Sequence, residues 1–289
     1  MAAIYSANMR RLPDFLVVGP PRTGTTWLDK ALRGHVGLPA QTKETLFFSR
    51  HYGRGVDWYA DHFPECPDDR PMGEVCAAYF GDPAAIERIF THMPRCRIVC
   101  TLRDPVDRLY SYYKLMRRNG KTDLPFHEAV KARKSMIAFS RYATVLEAWR
   151  ARFGADKVLV VINDDLYADP QGYVNQIAEF IGVGPIVLPP KLLKPGAKNT
   201  VVTAPRNVAL ARGAGRARKW LEEHRLYSVI SFLRDEGVWR FCGQGGAPFP
   251  PLDPVLRAKL QDVLMSEIER LEVMIGRDLS QWKGDRGAA

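Results

Sequence analysis

The chain has 289 residues, 46% of them hydrophobic, enough to bury a substantial core and within the size range of a one-domain α/β protein. Forty-two Lys and Arg against thirty-two Asp and Glu give a net charge of +10, which calls for an anionic partner without choosing among nucleotide, acidic acceptor, nucleic acid and membrane surface. Five scattered cysteines with no C-x-x-C pair indicate neither a zinc site nor a disulfide framework, and no apolar run approaches membrane-spanning length.

In chain order, M-A-A-I-Y-S-A-N-M-R-R-L-P lacks the apolar stretch of a secretion signal, so the expected location is the cytoplasm. Phe15 to Val18 is a short buried strand, followed by a Gly/Pro turn and a helix over Thr25 to His35. Gly73 to Phe80 is a second apolar run, ahead of a helix over Pro83 to Met93 whose proline suits a first turn. Cys96 to Leu102 is the next strand, and Pro105 to Arg118 the helix after it. Helices over Ile137 to Phe153 and Pro170 to Ile181 bracket a strand over Val158 to Ile162. Strands alternating with helices predict an α/β fold: one domain with a P-loop-like parallel sheet of about four or five strands flanked by helices. Residues 13–182 form its core. Residues 190–250 read as a basic flap or acceptor region, because Lys191 to Arg240 holds eleven Lys/Arg against four Asp/Glu. Within 254–282, apolar residues at helical spacing over Val255 to Ile275 predict a helix packed on the core.

Two stretches carry chemistry. Gly19-Pro-Pro-Arg22-Thr23-Gly24-Thr25-Thr26-Trp27 joins a buried strand to a helix N-terminus, where unpaired amides of Thr25, Thr26 and Trp27 favour an anion. The Gly19-x4-Gly24 spacing equals that of a nucleoside-triphosphate loop, but Thr25 stands where such a loop needs lysine, and Arg22 lies three places earlier. The second stretch places Arg103 at the carboxyl end of a strand and Ser111 two turns into the following helix, a guanidinium fork and a hydroxyl suited to another anion. Ligands in open α/β sheets sit beyond the carboxyl ends of the strands, so both stretches are expected to serve one crevice.

Together these motifs resemble the sulfotransferases that use 3′-phosphoadenosine 5′-phosphosulfate (PAPS). The Gly19–Trp27 segment is similar to the family's 5′-phosphosulfate motif and Arg103-Asp-Pro-x5-Ser111 to its 3′-phosphate motif. Lys43-Glu44-Thr45-Leu46-Phe47-Phe48 resembles the Glu-x-x-Phe-Phe segment of the heparan-sulfate branch and its bacterial relatives. The resemblance implies sulfuryl transfer from PAPS to a hydroxyl of a carbohydrate or small-molecule acceptor by in-line displacement, without a metal. It assigns cofactor binding to Arg22, Thr23, Gly24, Thr25, Thr26, Trp27, Arg103 and Ser111, and to Lys198 in K-P-G-A-K-N-T. Arg22 stands where the family usually has Lys; as a poor proton donor it is expected to act by charge alone. Glu44 is the expected general base, partly desolvated by Leu46, Phe47 and Phe48. Glu74 is the alternative base and, with His51 and His62, a candidate on the acceptor side. Val75 follows Glu74 where the heparan-sulfate branch has Lys.

Two other readings are open to the sequence. A P-loop NTPase or small-molecule kinase would use a carboxylate after a buried strand, and Val158 to Ile162 does run into Asn163-Asp164-Asp165. A basic nucleic-acid-binding module would interleave aromatics along a basic face, and no module motif of that kind is present. No nucleic-acid partner is expected, and the sequence is silent on oligomeric state.

Overall fold

The computed structural model describes residues 11–63, 66, 67, 69–196 and 203–284. Contacts divide the chain into two compact units, Met1–Leu102 with Leu146–Pro195, and Arg103–Val145 with Gly196–Ala289.

The first unit holds a parallel four-stranded sheet in the order β2-β1-β3-β4: β1 Phe15–Val17, β2 Gly73–Val75, β3 Arg97–Leu102 and β4 Val158–Ile162. These are the four strands expected from the sequence. The run from Gly73 is shorter than expected, because after Val75 the backbone turns into a 3-10 helix over Ala77–Tyr79. Period-2 alternation assigns the faces. Phe15, Val17, Val75, Val99 and Val161 share a fully buried cluster with Leu28 and Leu32 of the helix Thr25–Leu32 and with Val174, Ile177 and Ile181 of the helix Pro170–Ile181. Leu16, Ile98 and Cys100, on the opposite parity, are equally buried. The helices begin where the sequence offers caps: Asp82 accepts from Ala84 and Ala85 ahead of Pro83–His92, and Asp169 accepts from Gly172 ahead of Pro170–Ile181.

The second unit opens with the helix Pro105–Arg118, capped by Asp104, whose Oδ1 accepts from Val106 and Asp107 at 2.8 Å. The single helix expected over Ile137 to Phe153 is broken in two, Lys134–Ala138 and Tyr142–Phe153. Its breaker is Ser140, whose Oγ accepts from the buried Arg108 guanidinium and donates to the Pro105 carbonyl at 3.2 Å. The expected basic flap contains a two-stranded antiparallel ladder, Thr203–Pro205 with Gly245–Pro248, and the helices Val208–Glu223, Tyr227–Asp235 and Val238–Gly243. The C-terminal helix runs Pro254–Ile275, and its Glu267 accepts from the Thr144 amide and hydroxyl at 3.0 and 2.6 Å. No helix among the described residues is long and apolar enough to cross a membrane.

Candidate active site

β1 delivers the chain into a turn that is held from beneath. A Cβ on Gly19 would lie 1.8 Å from Thr101 Oγ1 and 2.3 Å from the Thr101 carbonyl, so the turn crosses β3 in contact with its backbone. Thr23 is fully buried; its hydroxyl donates to the Pro20 carbonyl at 2.8 Å and shares a 2.7 Å hydrogen bond with Thr101 Oγ1. Expected to bind cofactor, the Thr23 side chain instead ties the loop to the sheet. Asn163, the first residue after β4, donates from Nδ2 to the Thr23 carbonyl at 3.2 Å. Gly24, at φ +95°, takes the left-handed conformation in which the chain reverses into the helix Thr25–Leu32, and Arg22 is left-handed too, at φ +83°.

The helix N-terminus differs from expectation at one amide. Trp27 donates its backbone N–H to the Gly24 carbonyl at 2.9 Å, so the amides left for an anion in the first turn are those of Gly24, Thr25 and Thr26. The Trp27 ring lies edge-on to Tyr173 at 6.0 Å and donates from Nε1 to the Leu192 carbonyl at 3.2 Å. Those contacts are the packing of a core aromatic.

Lys43 reaches this turn and pairs with Glu44. The Lys43 ammonium lies 2.6 Å from Glu44 Oε1 and 3.4 Å from Thr25 Oγ1, with the two side chains 23% and 31% exposed. Strong desolvation falls on Glu74, one strand away. Its Oε1 accepts from the Thr45 amide and hydroxyl at 2.6 and 2.8 Å, and its Oε2 from the Tyr59 and Tyr79 hydroxyls at 3.0 and 3.1 Å. Burial pushes the Glu74 carboxyl up to about 7, against the pull of those four hydrogen bonds. A fully buried carboxylate with both oxygens occupied cannot touch an acceptor, so the acceptor-side expectation for Glu74 is corrected: Glu74 positions Thr45, the residue next to Glu44. Leu46 follows at φ +56° and opens the π-helix Phe47–His51.

His62 is 8% exposed, with Nδ1 2.9 Å from the Trp58 carbonyl and its ring edge-on to Trp58 at 4.4 Å, a core histidine and not an acceptor contact. His51 is partly exposed, 5.4 Å from the Trp58 ring.

In the second unit, Arg103 is 4% exposed and its guanidinium lies 3.9 Å from Asp107. The Arg103 carbonyl accepts from Tyr142 Oη at 2.9 Å, which fixes the backbone that carries the fork. Arg257 pairs with Asp107 and with Asp104, the latter at 3.7 Å. Burial and the neighbouring Asp107 raise Asp104 to about 6, opposed by its capping hydrogen bonds and Arg257. Ser111 is buried. Lys198 lies outside the described residues.

The first unit thus sets an ammonium and a carboxylate beside first-turn amides that suit an anion, and the second holds the Arg103 guanidinium and the Ser111 hydroxyl buried. The family described as the sulfotransferase domain matches residues 12–207. This chain belongs to that family. Among relatives of the family, human bifunctional heparan sulfate N-deacetylase/N-sulfotransferase 3 is 32% identical over 198 residues, which cover 61% of this chain and 23% of the human protein. Mouse heparan sulfate glucosamine 3-O-sulfotransferase 3A1 is 28% identical over 197 residues, covering 65% of this chain and 50% of that one. The matched stretch therefore spans about a quarter of the first relative and half of the second. A sulfotransferase crystal structure from Alicyclobacillus acidocaldarius shares the fold, with a TM-score of 0.68 over 95% of this chain and all of that one, at 22% identity.

The sequence reading missed Lys43, Asn163 and the Thr45–Tyr59–Tyr79 cradle of Glu74. Asn163 had a usable signal, since it stands at the carboxyl end of a parallel strand. The kinase reading counted it as the start of a metal-binding run, whereas its amide is engaged on the phosphate turn.

Proposed function

We propose that this sulfotransferase-family chain takes PAPS as donor and moves its sulfuryl group to a hydroxyl on a carbohydrate or small-molecule acceptor. The observation that carries this reading is the Lys43 ammonium, 3.4 Å from Thr25 Oγ1 at the helix N-terminus and 2.6 Å from Glu44 Oε1, which supports an acid–base pair beside the 5′-phosphosulfate. PAPS supplies an activated sulfate whose leaving group is a phosphate. The residues do the rest. Amides of Gly24, Thr25 and Thr26 hold the 5′-phosphate, Arg22 offsets charge on the departing oxygens, and Glu44 accepts the proton of the attacking hydroxyl. Arg103 and Ser111 are assigned the 3′-phosphate. Both named relatives act on heparan sulfate by their names, one at nitrogen and one at a 3-hydroxyl, which supports a glycan-type acceptor for this chain.

Binding measurements with adenosine 3′,5′-bisphosphate, ATP with magnesium, and an oligonucleotide test the reading. Stabilisation by the bisphosphate alone, without metal, is expected; preference for ATP with magnesium would support a kinase instead. Arg103→Ala and Ser111→Ala should weaken the bisphosphate while sparing adenosine 5′-phosphosulfate, and equal weakening of both ligands would refute the 3′-phosphate assignment.

A further inference from the structure

Arg22 leaves a chemical gap. Its guanidinium is a planar fork that spreads charge over several oxygens, so a compact charge aimed at the single oxygen that leaves sulfur is a separate contribution. Lys43 is such a donor: a single ammonium, 23% exposed, 3.4 Å from Thr25 Oγ1 and 2.6 Å from Glu44 Oε1. The same contact weakens Glu44 as a base, because the ammonium stabilises the ionised carboxylate through Oε1. An anion at the helix N-terminus offers Lys43 a second partner.

We infer that Lys43 is a further catalytic residue, which leaves Glu44 for the 5′-phosphate end of the donor and hydrogen-bonds the oxygen bridging sulfur and phosphorus. This rests on the PAPS reading above and deepens it. The acceptor's O–H proton passes to the Glu44 carboxylate as the acceptor oxygen bonds to sulfur. The bond from sulfur to the bridging oxygen breaks, its electron pair stays on the 5′-phosphate, and the Lys43 ammonium donates to that oxygen while keeping its proton. Glu44 then releases its proton to water. Donor binding so becomes the event that strengthens the base, and Glu74 keeps Thr45, the residue after the pair, in place throughout.

Calorimetric titration of adenosine 3′,5′-bisphosphate and of adenosine 3′-monophosphate tests this without turnover. Lys43→Met should bind the bisphosphate about tenfold or more weakly, the scale of one lost charge-assisted hydrogen bond, and the 3′-monophosphate as the wild type does. Lys43→Gln serves as the second variant should the methionine disturb folding, with the same expected pattern. Glu44→Gln should bind the bisphosphate at least as tightly as the wild type, because it no longer competes for the ammonium. If both Lys43 variants bind the two ligands with wild-type affinity, Lys43 does not face the 5′-phosphate and the inference fails. If the wild type itself shows no preference for the bisphosphate over the monophosphate or ATP, the donor reading fails instead.

Discussion

Glu44 and Glu74 are linked through Thr45, which follows Glu44 and donates its amide and hydroxyl to Glu74. Glu44 keeps contact with solvent and with Lys43; Glu74 is sealed among Thr45, Tyr59 and Tyr79. Glu44→Gln should lower turnover by about 100-fold, the lower end of general-base effects, without loss of bisphosphate affinity. A variant that turns over at the wild-type rate would remove Glu44 from the reaction. Glu74 shows instead in the dependence of stability on pH. Its carboxyl ionises near the ordinary glutamate value of 4.5 in the unfolded chain and near 7 in the folded one. Between those values the native state holds more protons than the unfolded state, so stability falls as pH rises and levels off above about 7. Asp104, raised from 3.8 to about 6, adds a slope of the same sign at lower pH. Chemical denaturation of wild type and Glu74→Gln from pH 4.5 to 7.5 should show the wild type losing up to about 1.4 kcal/mol per pH unit more than the variant. A constant difference across that range would mean that Glu74 does not titrate there. The sequence could name both glutamates but not separate them. Val75 marks β2 as buried, yet only the second strand face and the two tyrosine hydroxyls show that Glu74 points into a polar cage. Lys43 escaped notice because a lysine beside a glutamate reads as a solvated pair.

At the scale of elements, local chemistry in the sequence agreed with the fold wherever caps were explicit. Asp82-Pro83, Asp104-Pro105, Asp169-Pro170 and Asp253-Pro254 each start a helix within one residue of the expected place. The four strands were legible because parallel strands buried on both faces read as continuous apolar runs. The break at Ser140 was not, since it comes from Arg108 and Pro105, more than thirty residues earlier in the chain. The phosphate turn shows how much one element depends on missing side chains. An alanine at Gly24 would force a left-handed φ of +95° on a β-carbon and bring it 2.8 Å from the Asn163 side-chain amide, a side-chain atom and not backbone. An alanine at Gly19 would meet the Thr101 carbonyl at 2.3 Å and its amide nitrogen at 2.8 Å, which only a shift of strand β3 or of the turn can relieve. Gly19→Ala should therefore destabilise more than Gly24→Ala in urea titration, with the latter costing about 1–2 kcal/mol. The reverse order would mean that the turn is free to lift away from β3.

Across the whole molecule, the net charge of +10 sets up a field that acts on an anionic ligand before any contact forms. Eleven Lys/Arg against four Asp/Glu between Lys191 and Arg240 carry most of that excess, and Arg216, Arg218 and Lys219 are exposed on the helix Val208–Glu223. Arg218 and Lys219 already pair with Glu222 and Glu223 one turn on, which leaves Arg216 as the substitution that changes the field with the least loss of local ion pairing. Exposed charges act on encounter, while buried contacts act on residence. Arg216→Glu should therefore slow bisphosphate association by several-fold at about 20 mM salt, leave the dissociation rate unchanged, and match the wild type above about 0.3 M salt, where screening shortens the field to a few ångströms. Stopped-flow binding at a series of salt concentrations reads all three quantities. A change in dissociation rate with association unaltered would place Arg216 against the bound ligand, and would assign the basic segment a direct role in holding it in place of a steering one.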